Sequence, residues 1–157
     1  MADTTMTRTA AREIAMHMVF ELGFGDRNAR QLLDEELTEE TFAQIGAEEP
    51  LYAQFPDEVQ EKYIRTLVNG VFDHCPELDD YISRYSVGWS FARIPRVAAA
   101  IMRVAMYEVL YMPEIPNAAA INEAVEIAKG YETAEVVSFI NGILGTFVRT
   151  EFPETAQ

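Results

Sequence analysis

Apolar residues recur every three to four positions along almost the whole chain, and no stretch alternates apolar with polar residues for long. That pattern constrains the fold more than any other property of the sequence. Residues at i, i+3, i+4 and i+7 share one face of a helix, whereas a half-buried strand needs period two. Ala11, Ile14, Ala15, Met18, Val19 and Leu22 predict a first helix ending near Gly23 and Gly25. Asp26 is expected to cap a second, with Leu32, Leu33 and Leu37 as its buried stripe. The segment AEEPLYAQFP, with two prolines, reads as a loop. Pro56, followed by Asp57 and Glu58, then opens a long helix. Along it Val59, Tyr63, Leu67 and Val71 recur at i+4, flanked by Ile64, Val68 and Phe72.

The second half follows the same rule. HCPELDD is expected to break the long helix, and Tyr81, Ile82 and Tyr85 mark a short one after it. SVGWSFARIP is an irregular connection, with Trp89 expected to pack between the two halves of the molecule. Pro95 starts a helix carrying Val97, Ile101, Val104, Ala105 and Leu110. MPEIPN stops it, and Asn117 is the expected cap of the next, which carries Ile121, Ala124, Val125 and Ala128 on one face. A last helix holds Val136, Val137, Ile140, Ile143, Leu144 and Phe147. The expected fold is all-α: one domain, a bundle of about seven helices in two subdomains divided near residue 78, with halves 1–78 and 79–152.

Composition narrows the class. Of the 157 residues 49% are hydrophobic and 24% charged, the balance of a globular chain and not of a disordered one. The single cysteine, Cys75, has no internal disulfide partner, which fits a reducing compartment. The longest apolar run, Val97 to Met102, is closed by Arg103, and a membrane span needs about 20 residues. The opening MADTTMTRTAARE lacks the apolar core of a secretory signal, so a cytoplasmic protein without a membrane partner is expected.

The formal net charge of −14 argues against nucleic acid until its distribution is considered. Residues 31–62 carry ten acidic residues against one base, Lys62, so the segment 31–55 reads as a charged surface without a site. Residues 1–30 balance four bases with four acids. Between Tyr81 and Tyr107 stand Arg84, Arg93, Arg96 and Arg103 with no acidic residue. An acidic protein can still present a locally basic face.

The residues of enzyme chemistry are not assembled. His17 and His74 are far apart and have no cysteine or carboxylate at metal-ligand spacing. His74 and Cys75 are adjacent, and neighbouring side chains on a helix point apart, which disfavours a nucleophile–base pair. Gly23-Phe24-Gly25 lacks the third glycine of a dinucleotide loop and reads as a helix terminator. Glu123 and Glu126 share a helix face but read as solvated polar residues. No cofactor is implied.

What remains is a set of motifs. IPNAAAINEAVEIAKGY at 115–131, followed by FINGIL at 139–144, resembles the signature of the bacterial NusB family. WSFARIPRVAAAIMRVAMYEV is similar to that family's tryptophan–arginine turn and following helix, ending in Tyr107 and Glu108. AAREIAMHMVFEL resembles its first helix. The resemblance covers residues 8–24 and 89–147; the acidic stretch 31–55 matches only in length and character.

The resemblance implies a non-enzymatic, two-subdomain transcription antitermination factor. It would pair with NusE, bind the boxA element of nascent RNA, notably in ribosomal RNA operons, and act on the RNA polymerase elongation complex through other Nus factors. A related domain occurs fused to RNA methyltransferases, but a chain of this length matches the free-standing factor better. The family's arginine-rich motif maps onto RTAAR, with Arg8 and Arg12 matching and Thr9 and Ala10 standing where many relatives carry further bases. Arg8, Arg12, Phe20, Arg84, Tyr85 and Phe139 are the implied RNA-binding positions. Asn122 and Glu123 are favoured as anchors of the helix junction. Asn141 and Gly142 have the alternative roles of satisfying buried backbone groups and allowing close helix packing. Ala98 and Ala99 stand where relatives often have charged residues, so a NusE surface on that helix would differ in detail. Two rival functions stay open: a protein–protein adaptor with little RNA binding of its own, and an accessory domain of RNA methyltransferase type. Monomer and homodimer both stay open.

Overall fold

The computed structural model describes residues 5–154; the opening of the segment read for a secretory signal lies outside them. Eight α-helices and two 3₁₀ turns account for most of these residues, and no strand occurs among them. The helices are α1 (Arg8–Leu22), α2 (Ala29–Glu36), α3 (Glu39–Gly46), α4 (Glu58–Asp73), α5 (Cys75–Tyr85), α6 (Arg96–Tyr111), α7 (Asn117–Lys129) and α8 (Ala134–Glu151). No helix is long and apolar enough to cross a membrane among the described residues. The chain divides into two compact units between Phe72 and Asp73, a few residues before the division read from the sequence. The reason is local. Cys75 and Pro76 begin α5 instead of forming a connection, because proline is tolerated in a first helical turn where its missing N–H has no partner to lose.

In the N-terminal unit, α1 buries Ala11, Ile14, Ala15, Met18 and Val19, and α4 buries Tyr63, Ile64, Leu67, Val68 and Val71. The Thr7 hydroxyl caps α1 by accepting from the Ala10 amide at 3.0 Å. Asn28, and not Asp26, caps α2: its side chain accepts from Gln31 N at 2.8 Å, and the Gln31 side chain accepts from Asn28 N at 2.9 Å. The acidic segment holds a helix that periodicity did not reveal. This is α3, whose buried residue is Phe42, edge-on to Tyr52 and Phe55 at 4.9 and 5.2 Å between ring centroids.

A polar cluster lies within the same unit. His17 Nδ1 and the Tyr52 hydroxyl are 2.8 Å apart, and burial lowers the imidazole pKa. Glu21 at the end of α1 meets Glu36 at the end of α2, while Arg27 bridges Glu35 and Glu36 at 2.7 and 3.0 Å. Burial first, then the hydrogen bond and charge of Glu36, push the Glu21 carboxyl up to about 8. Its folded value lies above its unfolded one, so the native state holds an extra proton and loses stability as pH rises through about 8. His17 has the opposite shift and costs stability only as pH falls below the ordinary histidine range. Discounted for the half-exposed position, we expect the parent to lose about 1 kcal/mol between pH 6.5 and 8.5. Glu21→Gln should abolish that loss in urea unfolding at the two pH values; an equal loss in the variant would show that another group carries it.

The C-terminal unit is organised around α6, apolar on nearly every side and buried from Ala98 to Met102 and from Val104 to Val109. Helices α5, α7 and α8 pack against it. Ala98 and Ala99 lie in this core, 0% and 5% exposed, and present no surface. Arg103 forms a fork with Asp79 of α5, with Nε to Oδ1 at 2.6 Å and Nη2 to Oδ2 at 3.2 Å. The Cys75 thiol donates to Asp79 Oδ2 at 3.6 Å, whereas the His74 ring packs on Tyr111 at 4.3 Å. The adjacent His–Cys pair is thus split between different neighbours. Helix α7 begins after an extended Pro116, so Asn117 is its first residue and not its cap.

Candidate nucleic-acid interface

Arg8 is the first residue of α1, and the fold gives it a defined seat. Its guanidinium carbon lies 3.9 Å from the centroid of the Tyr63 ring on α4, and its Nε donates to Gln60 Oε1 at 2.8 Å. Arg12, one turn on, reaches the same ring at 5.7 Å. The two bases share a side, as their spacing requires, but not an environment. Arg8 is half-buried, and Arg12 is only 4% exposed. Two surface bases were expected here; the structure has one partly accessible base and one inside the fold. Phe20 stands about 18 Å from Arg8 and about 12 Å from Arg12 along α1 at 1.5 Å per residue, and its ring packs on Phe24 at 4.9 Å. The structure therefore separates it from the two arginines.

The other implied residues belong to the C-terminal unit. Arg84 and Tyr85 end α5, and both reach Glu151 at the end of α8. The Tyr85 hydroxyl donates to Glu151, and this bond raises the phenol pKa. Arg84 Nη1 is 3.3 Å from Glu151, and its Nη2 is 2.6 Å from Asp80. Two carboxylates thus answer the charge of Arg84. Phe139 on α8 packs on Trp89 in a tilted arrangement, with centroids 4.5 Å apart and planes at 30°. Both rings are half-buried, so each keeps accessible area. Trp89 lies in the loop that contains Gly88 at φ +86°, and the ring it packs on belongs to its own unit, not to the other half as expected.

Asn122 and Asn141 line an open groove of about 500 Å³ between α7 and α8, together with Val125, Val137 and the Glu126–Lys129 pair, which is 2.8 Å apart. Both asparagines are exposed, and nothing lies within 4 Å of a Cβ built on Gly142. Buried backbone satisfaction and close helix packing are therefore not the roles of Asn141 and Gly142. Gln60, Tyr63 and Glu151 were absent from the sequence-derived set. They are brought to it only by tertiary packing, across 52 residues for Arg8–Gln60 and 67 for Arg84–Glu151.

The NusB family model matches residues 9–149. The transcription antitermination protein NusB of Acetivibrio thermocellus is 40% identical over 93% of this chain and 91% of its own. Its namesake from Symbiobacterium thermophilum is 36% identical over 92% and 90%. Among solved structures, T. maritima NusB superposes with a TM-score of 0.77 at 30% identity, covering 98% of this chain and 96% of that one. A chain in the crystal structure of a plectonemic RNA supercoil shares the fold, with a TM-score of 0.76 at 19% identity over 94% and 97%. The match spans both units and all the elements that carry the residues described above, and the chain belongs to the NusB family of transcription antitermination proteins.

Proposed function

We propose that this protein pairs with NusE and binds boxA-type RNA in nascent transcripts, notably of ribosomal RNA operons, so that RNA polymerase with other Nus factors elongates through terminators. The observation that carries the reading is Arg8, seated on Tyr63 at the start of α1. There the helix N-terminus already favours phosphate oxygens. Arg8 is the phosphate contact in this reading, with Arg12 as a buried cation on the same ring. The partly accessible Phe139 ring, packed on Trp89, supplies area of the kind on which unstacked bases stack. Phe20 and Tyr85 are further aromatic candidates, and Arg84 contributes only when RNA displaces its carboxylates. With so few bases, binding by the lone protein is weak and NusE strengthens it by adding contacts of its own.

The test is a fluorescence-anisotropy titration of labelled boxA-type RNA across a salt series, with and without NusE. Arg8→Ala should raise Kd about tenfold and reduce the slope of log K against log salt by roughly 0.7, the value of one single-strand phosphate contact. An unchanged Kd at low salt would remove Arg8 from the interface. The net charge of −14 and the carboxylates on Arg84 favour a second reading, a NusE-binding adaptor without RNA affinity. It predicts NusE pairing with no RNA binding at any salt.

A further inference from the structure

Several bases of this strongly acidic chain are held in ion pairs. Arg27, Arg65, Arg84, Arg103 and Lys129 all lie within 4.0 Å of a carboxylate. Arg8 is held differently. Its hydrogen-bond acceptor is the amide oxygen of Gln60, and the surface beneath it is the face of Tyr63. Both partners are neutral, and both lie on α4, one turn apart. Tyr63 is 4% exposed, so the core fixes its ring. The bond to Gln60 uses Nε, so the two Nη groups of this partly accessible residue, the edge that pairs with phosphate oxygens, are not engaged by Gln60.

From this arrangement we infer that Gln60 and Tyr63 are positioning residues that fix the Arg8 guanidinium while leaving its charge uncompensated for an RNA phosphate. The inference rests on the RNA-binding reading above. A glutamate at position 60 would have nearly the same shape and would hold Arg8 more strongly, but it would cancel the charge that the phosphate needs. The neutral amide is thus the functional part of the contact. Orientation comes from the amide and the ring together, and the side-chain entropy of fixing a long arginine is met before RNA arrives.

Gln60→Glu separates positioning from packing, because stability and binding should move in opposite directions. The melting temperature should hold or rise, since an ion pair replaces a neutral hydrogen bond. Kd for labelled boxA-type RNA in the presence of NusE should rise about tenfold, and the salt slope should fall by roughly 0.7. In an Arg8→Ala background the same substitution should change Kd less than about twofold, because the group it acts through is gone. Tyr63→Phe should bind like the parent and Tyr63→Leu more weakly, with folding of each checked by melting. An unchanged Kd for Gln60→Glu, or an equal loss with and without Arg8, overturns this inference and leaves the RNA-binding reading standing. A parent protein that binds no RNA even with NusE overturns both.

Discussion

Phe147→Ala is expected to lower the unfolding free energy by about 4 kcal/mol, within the range for deleting a buried phenylalanine ring. Phe147 is fully buried on α8, and its ring is enclosed by other rings: Tyr81 at 5.0 Å, Phe152 at 6.1 Å and Tyr85 at 6.2 Å between centroids. Stiff aromatic walls, two on α5 and one just after α8, cannot close over the space left behind, so the cavity term adds to the lost transfer energy. At roughly 2–4 °C per kcal/mol for a chain of this size, the melting temperature should fall by about 8–16 °C. The loss reaches the candidate interface, because Tyr85 rests on this ring while it donates to Glu151. Phe147→Leu should recover most of the stability, since it keeps most of the volume. Urea unfolding of the parent and both variants decides the matter; a loss below about 1 kcal/mol for the alanine variant would mean that the neighbouring rings collapse into the gap.

Legibility in the sequence followed the number of residues each helix buries. Helices α1, α6, α7 and α8 bury enough residues at helical spacing for periodicity to reveal them. Helix α3 buries one, Phe42, and one residue has no period. In α4 the i+4 run also misleads at its start. Each step of four residues turns 400°, a drift of about 40°, so a run of four sweeps about 120°. Val59 falls off the buried face and is 64% exposed, whereas Tyr63 is 4% exposed. The site was legible in one respect, a base at the start of α1. That Arg12 is inside the fold was not legible, because arginine is ordinarily a surface residue and only the placement of Tyr63 reveals otherwise. Gln60 gave no local signal at all: a glutamine near the start of an exposed acidic helix turn acquires meaning only when α1 lies against it.

Gly46→Ala is the second large effect expected, and local rules give it the wrong sign. Gly46 is the last residue of α3, where alanine has the better helix propensity by up to about 1 kcal/mol and also restricts the unfolded chain. A Cβ at this position, however, would lie 2.5 Å from the Tyr52 carbonyl oxygen, 3.0 Å from its carbon and 3.2 Å from the Cα of Ala53. All three are backbone atoms, so no side chain can rotate out of the way. The 3₁₀ turn Pro50–Tyr52 has to shift, and it carries Tyr52, whose ring packs on Phe42 and whose hydroxyl meets His17. Forcing such a displacement typically costs 1–3 kcal/mol, which exceeds the propensity gain. A net destabilisation of about 2 kcal/mol should follow, read as a lower urea midpoint with an unchanged m-value. The His17 imidazole, which burial holds below its ordinary pKa, should titrate closer to that ordinary value in the variant by NMR as the Tyr52 contact loosens. An alanine variant as stable as the parent would show that the turn moves freely, and that the close approach of α3 to Tyr52 constrains nothing.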